Sequence, residues 1–273
     1  MGVKLSDSIG SQVEKHHQDA IQKFLQIYKE DESFLAILLA GSIAHGFSET
    51  DSDIDICIIV ESREYQSRRA ENRLAFSLWD ICTYENGYID CKVVDLDFLE
   101  KVRKSGSDPA RYAFQDNRIL YSKIDDLQEL LNKIVRYPIV EVHDRRKRFA
   151  SQLLAWKWYY GEAVKKQNKY LVFLSMQKIV LFSSRIILNE NRLLYPYHKW
   201  LLKVLEKAEK KPVALLARME ELLTSNSPEK VNRFCAEILE FIDCNERTVD
   251  WPNYFLRDSE QNWLNHAPPI DDL

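Results

Sequence analysis

Two aspartates one residue apart, Asp53 and Asp55, open an apolar run from Ile54 to Val60, and ten residues before them a first apolar run ends in Gly41-Ser42. In an extended strand successive side chains alternate between faces, so Asp53 and Asp55 share one face while Ile54, Ile56, Ile58 and Val60 share the other. Two carboxylates on one exposed face repel each other unless a cation lies between them. Mg²⁺ is the natural occupant, because this hard, oxygen-seeking ion bridges carboxylates and phosphate oxygens. Gly41 lets the backbone turn sharply and approach a ligand with no Cβ in the way. Backbone N–H groups at a following helix start, together with the Ser42 hydroxyl, can then cradle phosphate oxygens. The chemistry these residues suit is metal-assisted handling of nucleotide phosphates.

Elements must hold that arrangement. Val13, Ile21, Phe24, Leu25 and Tyr28 recur at helical spacing, so the first thirty residues read as an amphipathic helix ending at the acidic break Glu30 to Glu32. Strands are expected at Phe34 to Ala40 and Ile54 to Val60, from their short runs of isoleucine, leucine and valine. Arg63 to Leu78 reads as helical, and Gly87 separates Ile81–Tyr84 from a segment running from Tyr88 to Leu96 that would pair with it as a hairpin. After Tyr137-Pro138 the strand signal fades and helical periodicity runs from about Arg145 to Ile242. Leu171 to Leu188 is apolar nearly all round, as the buried centre of a bundle would be, and Ser227-Pro228 reads as a helix start with serine as the cap. The aromatic tail, with Trp251, Tyr254, Phe255 and Trp263, is expected to pack back on the body. The expected fold is α+β: a catalytic domain with a small mixed sheet over residues 1–138, then an all-helical bundle over 139–273.

Gly41-Ser42, a ten-residue spacer and Asp53-Ile54-Asp55, set between two apolar strands, resemble the signature of the DNA polymerase β-like nucleotidyltransferase superfamily. The likeness covers the N-terminal half. It implies Mg²⁺ as cofactor, a nucleoside triphosphate such as ATP as co-substrate, and a third carboxylate on a neighbouring strand. Asp90, flanked by apolar residues in Tyr88 to Val94, is the choice for that carboxylate, as metal ligand and as acceptor of the proton from an attacking hydroxyl. Its rivals Asp95 and Asp97 fall on the opposite face by alternation, and Asp97 with Glu100 three residues later reads as a helix cap. Lys92 shares Asp90's face, where its ammonium would neutralise triphosphate or departing pyrophosphate; an ordinary surface lysine is the alternative. Tyr195 to Trp200 resembles a segment that follows the catalytic domain in small-molecule nucleotidyltransferases, making Lys199 a candidate phosphate contact across an interdomain cleft; helix packing and a solvated Lys199 are the plainer reading. His45 reads as a structural turn histidine and the run from Arg145 to Arg148 as a solvated helix face.

Composition narrows the acceptor. The 273-residue chain carries 38 Lys and Arg against 42 Asp and Glu, a formal net charge of −4, where a dedicated nucleic-acid binder would be more basic. The five cysteines show no metal-ligand spacing and read as reduced. The first twenty residues have no apolar core of a signal peptide, the Met-Gly start with Ser6 only superficially fits a lipidation pattern, and Gln177, Lys178, Ser183, Ser184 and Arg185 interrupt the most apolar stretch. A cytoplasmic location without membrane contact is expected. The size, the appended bundle and the acidic balance are similar to antibiotic-modifying members, so the expected partner is a small-molecule hydroxyl acceptor of aminoglycoside-like or lincosamide-like type. The alternatives are a regulatory nucleotide-binding protein of toxin–antitoxin type and an enzyme extending nucleic acid or oligonucleotides.

Overall fold

The computed structural model describes residues 13–225, 227–264 and 267–272. The chain divides into two compact units, residues 1–136 and 137–273. The Met-Gly start and Ser6 lie outside the described residues.

The first unit is built on a five-stranded mixed sheet. Helix α1 (Lys15–Tyr28) precedes β1 (Phe34–Leu39), which turns through the short helix α2 (Gly41–His45) into β2 (Ile54–Val60). Helix α3 (Ser62–Ala70), the strands β3 (Ala75–Leu78) and β4 (Ile89–Asp95), helices α4 (Leu96–Ser105) and α5 (Asp108–Tyr112), strand β5 (Arg118–Ser122) and helix α6 (Leu127–Ile134) complete it. The spatial order is β3-β4-β2-β1-β5. β2 and β4 run parallel, a pairing that needs a crossover, supplied here by α3 and β3. The other neighbours are antiparallel.

Alternation along β2 fills both faces of the sheet. Ile54, Ile56, Ile58 and Val60 pack with Ile37, Leu39, Ile89, Cys91 and Val93 against Ile21, Phe24 and Leu25 of α1. Cys57 and Ile59 point the other way and join Ala36, Leu38, Leu99 of α4 and Leu131 of α6. Each fully buried isoleucine contributes about 1.5–3 kcal/mol by leaving water. Asp55 also lies on this second face, at the end of the strand.

Three expectations are corrected. Arg63 to Leu78 is helical only to Ala70; Asn72, at φ +55°, breaks the helix, and Ala75 to Leu78 forms an edge strand. The hairpin partner of β4 is therefore β3, and not Ile81–Tyr84, which belongs to the connection between them. Tyr84 turns inward there to donate to the Ser52 carbonyl at 2.8 Å, which takes the segment out of the sheet. The cap of α4 is Asp95, and not Asp97: β4 runs straight into the helix, and extended backbone at Asp95 aims its Oδ1 at the Phe98 N–H, 2.8 Å away.

The second unit is helical. Its long hairpin pairs α7 (Val142–Lys165) with α8 (Lys169–Asn191), followed by α9 (Leu201–Glu206), α10 (Leu215–Thr224), α11 (Pro228–Phe241) and α12 (Trp251–Phe255). Ser227 caps α11 through the Lys230 N–H, with Pro228 at the first turn. α8 is long and apolar enough to cross a membrane by length and composition, yet it also buries Met176, Ile179, Ile186 and Ile187 inside the unit. Phe255 is buried beside Trp156 and Tyr159, Asp258 pairs with Arg148, and Ser259 accepts from Gln152, so this part of the tail packs on α7; Trp263 stays exposed.

Candidate active site

The same end of four neighbouring strands carries the polar residues. β1 delivers the chain into Gly41-Ser42, β2 opens beside Asp53 with Asp55 as its second residue, β4 opens beside Tyr88 with Asp90 as its second residue, and β3 ends there. Because β2 and β4 are parallel, Asp55 and Asp90 stand directly opposite each other, side chains on one face. Lys92 completes the cluster, its ammonium 3.5 Å from an Asp90 oxygen and 3.8 Å from an Asp55 oxygen. Both carboxylates are about three-quarters buried, whereas the lysine is largely exposed. Asp53 accepts a hydrogen bond from the Tyr88 hydroxyl at 3.1 Å. The nearby Asp53 charge and that bond hold the Tyr88 phenol above its ordinary range.

Gly41 adopts φ +63°, a left-handed conformation open to glycine, and a Cβ there would stand 1.7 Å from an Asp55 carboxylate oxygen. The glycine thus serves the turn and lets the carboxylate lie against the backbone. Gly46, at φ +70°, closes α2 and allows the Phe47 N–H to bond to the Ser42 carbonyl. The Ser42 hydroxyl is buried with no hydrogen-bond partner, as are both polar atoms of the Asn117 side chain, one residue before the Arg118 that pairs with Leu39. Buried polar groups without partners are costly, so they suit a site that a polar ligand completes.

The loop leading into Asp53 is tied down from α1. His16 and His17 donate from Nε2 to the carbonyls of Thr50 and Ser52, at 2.8 and 3.0 Å, and Tyr84 donates to Ser52 as well. Burial, and then the neighbouring His16, lower the pKa of His17. His45 lies in the last turn of α2, its ring against Tyr112 and its Nδ1 3.3 Å from Asp116, which is a structural role.

Gly41, Ser42, Asp53, Asp55, Asp90 and Lys92 therefore come together in the first unit. Lys199 belongs to the second, exposed, with its ammonium 4.9 Å from the centre of the Trp200 ring. Tyr195 is buried there beneath the Arg185 guanidinium, as core packing requires. In the basic run, Arg145, Arg146 and Arg148 pair with Glu141, Glu190 and Asp258 inside the helical unit. Tyr88, Trp79, Asn117 and the histidine pair escaped the sequence reading; only the alternation of Ala75 to Trp79 hinted at a strand ending beside the carboxylates.

Among the described residues no three His, Cys, Asp or Glu side chains converge as a preassembled metal cage. Carboxylates without a divalent ion repel, and the Lys92 ammonium between Asp55 and Asp90 stands where a cation is required. Hard oxygen donors, a cation already shared by two of them and an unpartnered serine hydroxyl alongside fit a magnesium–phosphate ligand.

Residues 21–153 match the family model of the nucleotidyltransferase domain. No curated protein matches the chain. Among solved structures, a nucleotidyltransferase-like protein from Exiguobacterium sibiricum 255-15 is similar at 10% identity and a TM-score of 0.47, covering 88% of this chain and 79% of that one.

Proposed function

We propose, on the premise that this chain carries a nucleotidyltransferase domain of the polymerase β-like kind, that it transfers AMP from MgATP to a hydroxyl of a small-molecule acceptor. The observation that carries the reading is the pair Asp55 and Asp90, facing each other in register and sharing one cation, beside a glycine turn with no room for a side chain. Asp53, Asp55 and Asp90 would hold Mg²⁺, which when bound neutralises charge on the attacking and leaving oxygens. The Ser42 hydroxyl donates to the phosphates. Lys92, largely exposed beside Asp55 and Asp90, would turn its ammonium to the triphosphate and the departing pyrophosphate. Asp90 accepts the proton of the acceptor hydroxyl as its oxygen bonds to the α-phosphorus and the bond to pyrophosphate breaks. An aminoglycoside-like or lincosamide-like alcohol is the expected acceptor, and the acidic balance of the chain is compatible with a cationic one.

The test mixes labelled ATP, Mg²⁺ and candidate acceptors and follows pyrophosphate release, with chelation of the metal as control. Asp53→Asn and Asp55→Asn should each lower turnover by at least about 10²-fold, the loss expected when a transition-state charge partner is removed, with little change in stability. Near-normal turnover in either variant would sink the assignment of that aspartate.

A further inference from the structure

The strand order sets out the groups of the site in a line. Across neighbouring strand ends run the Gly41-Ser42 turn after β1, Asp53 just before β2 and Asp55 on it, Asp90 on β4, and then the end of β3. Strands lie about 4.8 Å apart, so three spacings, roughly 14 Å, separate the phosphate turn from the end of β3. In phosphoryl transfer the attacking and leaving oxygens lie in line on opposite sides of phosphorus. With the departing pyrophosphate on the Ser42 side, the acceptor approaches past Asp90, and its body must lie over β3.

What stands there is an aromatic shelf. Ser77 is opposite Asp90 in register, its hydroxyl 3.4 Å from an Asp90 oxygen. Just past the end of β3, Trp79 is 61% exposed. Its indole stacks on the Tyr88 ring, with centroids 4.5 Å apart and planes 24° off parallel. Tyr88 in turn donates to Asp53. A lone exposed tryptophan is ordinary on a protein surface. This one is stacked on a partner tied to a carboxylate of the site, so an exposed apolar ring is held at the strand ends that carry the carboxylates.

We infer that Trp79, backed by Tyr88, is the acceptor subsite, and that it selects an alcohol carried on a ring whose face stacks on the indole. The inference rests on the nucleotidyltransfer reading and names the substrate class of that site. A flexible linear polycation covers less of the indole and loses more chain entropy on binding, so it binds more weakly than a ring of equal charge. Ser77 offers a hydroxyl to a second polar group on the same ring. The nucleotide, held from the other end of the line, does not depend on the indole.

The test uses the full chain with Mg²⁺ and an ATP analogue carrying a methylene bridge between the α- and β-phosphorus atoms, in titration calorimetry. Analogue binding is measured first, in wild type and in Trp79→Ala. Kanamycin and lincomycin then serve as ring probes, and spermine as an acyclic polycation. The expected result is that at least one ring probe binds more tightly than spermine, that Trp79→Ala weakens it about tenfold or more, and that Trp79→Phe restores most of the loss. Analogue affinity should stay within about twofold in both variants. Equal binding of the ring probe by wild type and Trp79→Ala, or no preference of wild type for either ring probe over spermine, overturns the inference while leaving nucleotide transfer standing. Weakened analogue binding in Trp79→Ala overturns it by placing the base on the indole. Failure of wild type to bind the analogue at all removes the nucleotidyltransfer reading, and the subsite with it.

Discussion

Gly41 shows how much chemistry can depend on one missing carbon. Its positive φ and the Asp55 carboxylate against its backbone leave no space for a side chain, so Gly41→Val must both strain the turn and displace a proposed metal ligand. A thermal-shift titration with MgATP should find the variant folded at a lower midpoint and unresponsive to nucleotide; a normal shift would show that this turn is not the phosphate site. Asp90 and Asp95, five residues apart, predict opposite outcomes because the strand turns them to opposite faces. Asp90→Asn should leave nucleotide binding largely intact and lower the single-turnover rate by at least about 10²-fold, since it removes the proton acceptor. Asp95→Asn keeps a capping oxygen for the Phe98 N–H and should transfer at close to the normal rate. The reverse pattern would move the third carboxylate to the other face.

Among the elements, α1 does more than cover the sheet. His16 and His17 in its first turn reach the carbonyls of the loop before Asp53. His17 is fully buried and its Nδ1 has no partner, so a proton added there would be buried without an acceptor. With its pKa below the ordinary 6.5 in the folded chain, the unfolded chain binds more protons as pH falls through that value. The stabilisation is therefore fully present above about pH 6.5 and declines below it. Urea midpoints taken at pH 7.5 and 5.5 should differ more for wild type than for His17→Gln; equal differences would mean that His17 is not the group responsible. The cap of α4 is a separate matter of stability: Asp95→Ala should cost about 0.5–2 kcal/mol in the same measurement, because the Phe98 N–H loses its acceptor.

At the scale of the whole molecule, the chain divides into two compact units, and the thiols report on each. Cys57 and Cys91 are buried in the sheet unit and Cys235 in the helical unit, and burial pushes all three up to about 12. Cys82 and Cys244 are partly accessible, one in each unit. A thiol reagent at pH 8 should therefore modify the native chain rapidly at no more than these two positions and at all five once it is denatured. Rapid modification of Cys57 or Cys91 in the native protein would show that the sheet core opens more readily than its packing implies.

Short-range patterns in the sequence determined β1, β2, the Gly41-Ser42 turn, the face shared by Asp53 and Asp55, the Ser227 cap and the helical character of the second half. Each rests on period-two or period-3.6 burial, or on backbone rules that neighbouring residues settle among themselves. Asp90 was legible by the same alternation, but its place opposite Asp55 rests on the parallel pairing of β2 with β4, a contact between strands distant in sequence. The course of residues 71–88 needed the tertiary structure too. A short amphipathic run suits helix or strand alike, and here the open edge of β4 decides for strand, while Tyr84 is drawn inward by the Ser52 carbonyl. Tertiary structure alone put Trp79 on Tyr88, Tyr88 on Asp53 and His17 beneath the loop. Such contacts depend on sheet order and on side chains meeting across it, which local periodicity does not encode.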